Sequence, residues 1–281
     1  MFKLTRRRSP FILSVLMTVL TAFGTFAVYA SHSWGGYHWA RTTSQFTLKL
    51  GNNLTSADWS SHLSQTSSDW NSGNSAVLTA IVVGQSNRNC RMVAGTTQVC
   101  NATYGNNGWL GLATINITGG THITQGSAKM NDSYFNMAFY NNTNERRHVM
   151  CQEVAHTFGL DHQSTSGASL NTCMDYFSNT GANAGSTLST KPNQHDFDEL
   201  NLIYAHLDST TTVAARAASA ASSSDDENDS NKWGYLKSQS PNGRSSTYEQ
   251  FHSDGSKTLT HVFWTEEAAA RCPSCDHRYD H

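Results

Sequence analysis

The sequence has few charged residues, only one long apolar run and, beyond residue 30, no basic cluster. Charged side chains make up 14 % of the 281 residues, while Ser, Thr, Asn and Gly are abundant. This composition is typical of a secreted protein with many surface loops. The lack of a basic cluster argues against nucleic acid as a main partner. Beyond residue 30, no segment is apolar enough to span a bilayer, and no internal repeat is present.

The one apolar run lies at the N-terminus and predicts a signal peptide over 1–30. Four basic residues, at positions 3, 6, 7 and 8, precede an apolar stretch that ends in the small-residue sequence AVYA. The alternative is an N-terminal membrane anchor, because the run is near the lower limit for crossing a bilayer. After cleavage, 15 basic and 21 acidic residues remain, a net charge of −6. We expect a secreted or extracytoplasmic monomer with no membrane contact after cleavage.

The cysteine count predicts disulfides, since six cysteines in an exported chain form an even set. Their spacing favours one bridge between Cys90 and Cys100 and another between Cys151 and Cys173, although sequence alone does not prove this pairing. Cys272 and Cys275, with two histidines nearby, offer a small zinc site as an alternative. A local disulfide or a reactive tail is favoured there, because zinc sites normally have longer spacing between ligand pairs.

Hydrophobic periodicity predicts an α+β domain over 45–208, built from alternating strands and helices. The sequence predicts an arm over 31–44, strands over 45–51, 76–84 and 109–118, an edge strand within 122–135, a loop or hairpin over 85–108, and helices over 57–70, 145–158 and 196–207.

The C-terminal part is predicted to be a small appendage. Residues 209–231 are small, polar and finally acidic, which indicates a flexible linker. In the remaining region, 232–281, two β-like runs flank Asp254-Gly255, a strong hairpin signal. About fifty residues are too few for a robust independent core, so we expect this hairpin to pack on the main domain.

The candidate chemistry lies in the stretch CQEVAHTFGLDH, residues 151–162. Residues four apart on a helix share a face, so Gln152 and His156 point the same way, with Glu153 beside them. Gly159 is placed to end the helix, since glycine enters the left-handed region without strain. The chain can then turn and bring His162 back toward His156.

This stretch resembles the metzincin zinc-protease signature HExxHxxGxxH, with glutamine in place of the first histidine. The sequence CMDY, with Met174, is similar to the methionine turn beneath the metal in that family, at a matrixin-like distance. The order of predicted elements from residue 46 to 207 also resembles the metzincin catalytic domain. The resemblance implies an α+β fold with a mixed twisted sheet, an active-site helix, a methionine turn and a closing C-terminal helix.

Carried over to this sequence, the resemblance implies a zinc endopeptidase acting on polypeptides. His156 and His162 would bind Zn²⁺, and Glu153 would be the general base. Met174 would lie beneath the metal, and Tyr176 matches the switchable tyrosine of astacins and serralysins. The substrate would pair with the predicted edge strand near 122–130. No cysteine lies between residues 31 and 90, so a cysteine-switch propeptide is absent from that stretch.

Gln152 leaves one coordination position open. Its amide oxygen is a poorer zinc ligand than imidazole, and three interpretations follow. Gln152 binds through its oxygen; another group, Tyr176, His195 or His38, completes the site; or the site is empty and the domain is a catalytically inactive binding module. The grouping of Glu153 with two histidines favours a retained metal, because buried polar groups without one carry a desolvation cost.

Overall fold

The computed structural model describes residues 32–85, 89–214 and 229–279. The predicted signal peptide and most of the predicted linker lie outside these ranges. Over the described residues, nine strands form one mixed sheet, and five α-helices accompany it, so the fold is of the α+β class.

The strands run in the order β3-β2-β4-β6-β5-β9-β8-β7 across the sheet, and β1 pairs with one end of β6. Their bounds are β1 His38–Trp39, β2 Phe46–Asn53, β3 Val77–Val83, β4 Thr96–Ala102, β5 Trp109–Thr118, β6 His122–Asn131, β7 Tyr235–Gln239, β8 Ser245–Phe251 and β9 Lys257–Trp264. The strands β3, β2, β4 and β6 are parallel, whereas β5, β9, β8 and β7 pair antiparallel.

The helices are α1 Ala57–Asn71, α2 Asp132–Phe135, α3 Thr143–His156, α4 Gln194–Ile203 and α5 Glu266–Arg271. Each long helix starts at a polar cap: Ser56 for α1, Asn142 for α3 and Asn193 for α4 accept hydrogen bonds from the first turn. Helix α3 lies against β5 and β6 and also contacts α1. This packing places the end of α3, with His156, against the middle of the sheet.

Two apolar cores lie on the sheet. The larger one packs the helices on one face and includes Trp39, Leu48, Trp70, Val149 and Phe158. The smaller one lies where β5 and β9 meet the C-terminal residues and includes Trp109, Leu112, Trp233, Tyr248 and Trp264. The smaller core joins residues from both sides of the predicted linker, so the C-terminal strands are part of the same sheet.

Most predicted elements are confirmed within a few residues, namely the strands β2, β3 and β5 and the helices α1, α3 and α4. The predicted hairpin at Asp254-Gly255 is confirmed as β8 and β9, but β7 adds a third strand. The predicted domain boundaries stay a prediction.

Two sequence predictions about strands are wrong. The segment 122–135 is not an edge strand: β6 has β4 on one side and β5 on the other. The segment 85–108 is not only a loop, since it contains β4, a strand between β2 and β6. Polar residues such as Thr97 and Gln98 are buried in β4, so its sequence lacks the apolar pattern from which a buried strand is predicted.

All six cysteines form disulfides: Cys90–Cys100, Cys151–Cys173 and Cys272–Cys275. The two predicted bridges are therefore confirmed, and the CxxC pair forms the local bridge favoured from sequence. Three disulfides fit an extracytoplasmic protein. Among the described residues, none of the helices combines the length and apolar character needed to cross a membrane.

Candidate metal centre

His156 and His162 meet where α3 ends. Gly159, at φ +98°, turns the chain, and a Cβ there would lie 2.0 Å from the carbonyl oxygen of Tyr37. The Nε2 atoms of His156 and His162 are 3.2 Å apart. The end of the helix therefore brings the two imidazoles predicted from sequence together.

The hydrogen bonds of the two rings leave both Nε2 atoms facing each other. Nδ1 of His156 donates to the carbonyl oxygen of Leu160 at 2.8 Å, and Nδ1 of His162 lies 3.0 Å from Asp161 Oδ1. Because a neutral imidazole has one N–H, each Nε2 then carries a lone pair. Two nitrogen ligands at ~2.1 Å from a tetrahedral zinc ion are roughly 3.3 Å apart. The distance between the two Nε2 atoms therefore suits a metal ion bound between them. Without an ion, two lone pairs would face each other at this distance.

A third imidazole, from His261 on β9, completes the group. His156, His162 and His261 each offer a ligand atom within 4.8 Å of the other two. The ring centre of His261 is 4.0 Å from that of His156 and 4.8 Å from that of His162. Nδ1 of His261 lies 3.1 Å from Glu153 Oε2, and its Nε2 lies 3.1 Å from Ser245 Oγ.

Sequence reasoning missed His261. Alternation in KTLTHVFW places it on one face of a strand, but only the pairing of β9 with β5 brings that face to α3. Nothing local in the sequence marks His261 as a ligand, since it lies 99 residues after His162 in the chain.

Gln152 holds the methionine turn. Its Nε2 donates to the carbonyl oxygens of Cys173 at 2.8 Å and of Asp175 at 3.0 Å. Its Oε1 is buried and has no hydrogen-bond partner among the described residues. The side chain is fully buried, so its amide nitrogen is committed to the turn that contains Met174.

The other groups considered from sequence for the open position lie elsewhere or turn another atom to the site. His38 groups with His206 and Asp208, and the ring of His195 stacks on His32 with centres 4.8 Å apart. Tyr176 does lie at the site: its ring stacks on His162, and its Oη is 2.9 Å from His162 Nδ1. The tyrosine hydroxyl thus contacts the outer nitrogen of His162.

Glu153 is buried between α3 and β5. Its side chain is 0 % exposed, and burial raises its pKa well above the usual range of a carboxyl group. A Cβ on Gly111 of β5 would lie 2.7 Å from Glu153 Oε1, so the glycine makes room for the carboxyl group. Oε2 is bonded to His261, whereas Oε1 has no hydrogen-bond partner among the described residues.

The turn that contains Met174 is tied to the segments that carry the histidines. Cys151 on α3 is bridged to Cys173, directly before Met174. The amide of Gln163, one residue after His162, donates to the carbonyl oxygen of Met174 at 2.6 Å. The turn is therefore tied both to the helix and to the segment that carries His162.

Burial favours the neutral, metal-binding form of all three histidines. The pKa of His156 and that of His261 are lowered well below the usual value, first by burial and then by neighbouring histidines. Burial also lowers the pKa of His162, against the opposing effect of Asp161. The three rings are thus uncharged near neutral pH, as nitrogen ligands must be.

Two parts of the chain cover the histidines. Trp34, in the N-terminal arm, stacks on His156 with ring centres 4.7 Å apart, and its amide donates to Gly159 O at 3.0 Å. On the other side, the β7–β8 turn separates two shallow pockets, of about 710 and 460 Å³. His162 lines the first pocket, Tyr176 lines the second, and Asn242 of the turn lines both.

The comparison with solved structures gives a distant likeness. No family model and no curated protein matches the chain. Among solved structures, the chain resembles high choriolytic enzyme 1, a hatching enzyme zinc-protease from Oryzias latipes (medaka fish). The two share 10 % identity over 61 % of this chain and 96 % of that one, with a TM-score of 0.34. A likeness this distant shows neither the family nor the function of this chain.

Proposed function

We propose that the protein is a secreted zinc-dependent endopeptidase, with His156, His162 and His261 as the zinc ligands. The observation that carries the proposal is the convergence of three imidazoles with buried side chains beside a buried carboxyl group. Three histidines with one open position are a typical catalytic zinc site. His261 takes the ligand role that Gln152 was expected to have, while Gln152 supports the turn.

Glu153 is the general base in this proposal. Zinc, when bound, supplies Lewis acidity and lowers the pKa of a water ligand. The unpartnered Oε1 of Glu153 is free to accept a proton from water at the site, while Oε2 stays with His261. The same carboxyl group then returns the proton to the leaving amine.

The substrate is a polypeptide that approaches on the side of the β7–β8 turn. It has no free strand to pair with at β6, and the outer edge of β5 is occupied by β9. The two pockets beside the turn are lined by His162 and Tyr176, so they lead toward the histidines. The Glu153 side chain is 0 % exposed, so a substrate reaches it only after the residues around it move.

The experiment compares His261→Ala, Gln152→Ala and Glu153→Ala. We expect His261→Ala to lose one equivalent of zinc and all cleavage of unfolded polypeptides, whereas Gln152→Ala keeps its zinc. Glu153→Ala should keep zinc and lose cleavage by 10² or more. The control His252→Ala removes a half-buried histidine at the β8–β9 turn and should change neither. Zinc retained in His261→Ala but lost in Gln152→Ala would contradict the ligand assignment.

One observation favours a second function, a catalytically inactive, metal-stabilised binding module. The strand β9 covers the edge of β5, and Glu153 is fully enclosed. This alternative also predicts zinc on the three histidines, but no cleavage by the wild-type chain. Under it, Glu153→Ala changes stability and metal affinity alone. Chelator-sensitive cleavage that Glu153→Ala abolishes separates the two functions.

A further inference from the structure

A second group of metal-binding side chains lies outside the site described above. His38 of β1 pairs opposite His122 of β6, and His206 and Asp208 follow α4. Asp208 Oδ1 lies 3.4 Å from His38 Nε2, 3.2 Å from His122 Nε2 and 3.7 Å from His206 Nε2. One carboxylate oxygen therefore has three imidazole nitrogens around it, all of the same type.

Hydrogen bonds at His38 Nδ1 and Asp208 Oδ2 orient the two side chains. They leave His38 Nε2 and Asp208 Oδ1 facing each other. Nδ1 of His38 donates to the carbonyl oxygen of Gly36 at 2.8 Å, which leaves a lone pair on Nε2 when the ring is neutral. Asp208 Oδ2 accepts from the amide of Arg41 at 2.9 Å, so Oδ1 is left to face the rings. Such outer hydrogen bonds are typical of histidine and carboxylate metal ligands.

The inner contacts are poor without a cation. Nε2 of His38 is 3.2 Å from Nε2 of His206, and a neutral His38 brings its lone pair to that nitrogen and to Asp208 Oδ1. Lone pairs facing one another repel, and a positive ion placed between them removes the repulsion. Two imidazole nitrogens and one carboxylate oxygen are of the ligand types that zinc prefers.

We propose that His38, His206 and Asp208, whose ligand atoms lie within 4.8 Å of one another, bind a zinc ion. His122 Nε2 contacts the same Asp208 oxygen and holds that carboxylate in place. The ion links the N-terminal arm to the segment after α4, so its role is structural. The ring of His206 is 55 % exposed, which gives the ion a path of entry, whereas the side chain of Asp208 is only 8 % exposed.

A zinc ion at this site would fix the N-terminal arm to the rest of the fold. The ligand His38 belongs to the arm, and the ligands His206 and Asp208 belong to the segment after α4. His122 of the central sheet contacts Asp208. The same arm carries Trp34, which stacks on His156. Zinc at this site would therefore hold the cover of the first site in place, without taking part in its chemistry.

The test counts zinc in the full chain and measures its effect on thermal unfolding. After loading with Zn²⁺ and removal of excess, Asp208→Asn and His206→Ala should each hold about one equivalent fewer than wild type. The partly exposed His206 serves as the second variant in case Asp208→Asn fails to fold. Added zinc should raise the melting temperature of His261→Ala, in which only this site remains, but not that of His261→Ala combined with His206→Ala. The control His252→Ala should match wild type.

The outcomes separate this proposal from the one on the first site. Loss of an equivalent in His206→Ala, with His261→Ala losing a different one, supports both sites. If His206→Ala loses a zinc equivalent and His261→Ala does not, the result supports this site and contradicts the zinc site proposed at His156, His162 and His261. If Asp208→Asn and His206→Ala hold as much zinc as wild type, with the same response of melting temperature to zinc, the group binds no zinc and the proposal is overturned.

Discussion

At the residue scale, Gln152 shows how a side chain at a ligand position can serve another purpose. Its two amide N–H groups match the two carbonyl oxygens of Cys173 and Asp175. An imidazole at this position would have only one N–H while neutral and could not make both bonds. The glutamine therefore ties α3 to the methionine turn at two points, and the imidazole comes from β9 instead.

We predict that Gln152→Ala lowers the free energy of unfolding without removing zinc from the first site. The substitution breaks two buried hydrogen bonds and leaves the carbonyl oxygen of Cys173 without the Gln152 donor. Buried groups left unpaired cost about 1–3 kcal/mol each, so a loss of about 2–4 kcal/mol is expected in urea unfolding. Gln65→Ala, on the exposed face of α1, is the matched control and should cost under about 1 kcal/mol. A loss equal to that of the control would show that the turn is held by other contacts.

At the element scale, α3 and the methionine turn act as one unit because the disulfide Cys151–Cys173 closes the segment between them. This segment contains Gly159 and His162, and its sequence separation is 22 residues. It contains no helix or strand from 157 to 173, so cross-links take the place of regular hydrogen bonding there.

We predict that the double substitution Cys151→Ala and Cys173→Ala destabilises the protein by about 3 kcal/mol, the value for a loop of this size. The loop entropy regained by the unfolded chain is the main cause. The control is the double substitution Cys272→Ala and Cys275→Ala. The bridge that it removes spans a sequence separation of only 3, so its removal should lower the free energy of unfolding much less. Equal losses for the two pairs in urea unfolding would contradict a role of the longer bridge in holding the site.

The elements that sequence predicted and those it missed differ in one physical respect. The helices α1 and α3 and the strand β5 have a local period or boundary, so they were predicted within a few residues. The strand β4 was missed because it buries Thr97 and Gln98, whose polar groups are bonded within the sheet and to Thr157. Strand order is not encoded locally at all, which is why β6 was placed at an edge.

The same limit applies to the candidate site. His156, Gly159 and His162 lie within seven residues, and helical geometry predicts their meeting. His261 reaches them only through the pairing of β9 with β5, a contact between residues nearly 150 positions apart. Composition and periodicity carry no information about such a contact, so the third imidazole could be found only from the folded chain.

At the scale of the whole molecule, the residues after 228 complete the sheet. The strand β9 pairs with β5 along nearly its whole length, from Trp264 to Lys257. Trp109 and Leu112 of β5 pack with Val262 and Trp264 of β9 in the smaller core. The C-terminal segment therefore supplies both apolar surface and, through His261, the third imidazole of the candidate metal centre.

We predict that a chain cut between residues 214 and 229, at an inserted protease site, stays together and keeps its zinc. Strand pairing and the smaller core hold the two fragments without the covalent link, since they bury Trp109 and Trp264 completely or nearly so. Size-exclusion chromatography in buffer should give one peak with the zinc content of the uncut chain, and two peaks without zinc in denaturant. His261→Ala, cut in the same way, is the control: its fragments should stay together but hold one zinc equivalent fewer. Separation of the cut wild-type fragments in buffer would show that the C-terminal strands are an appendage, and that His261 does not belong to the site.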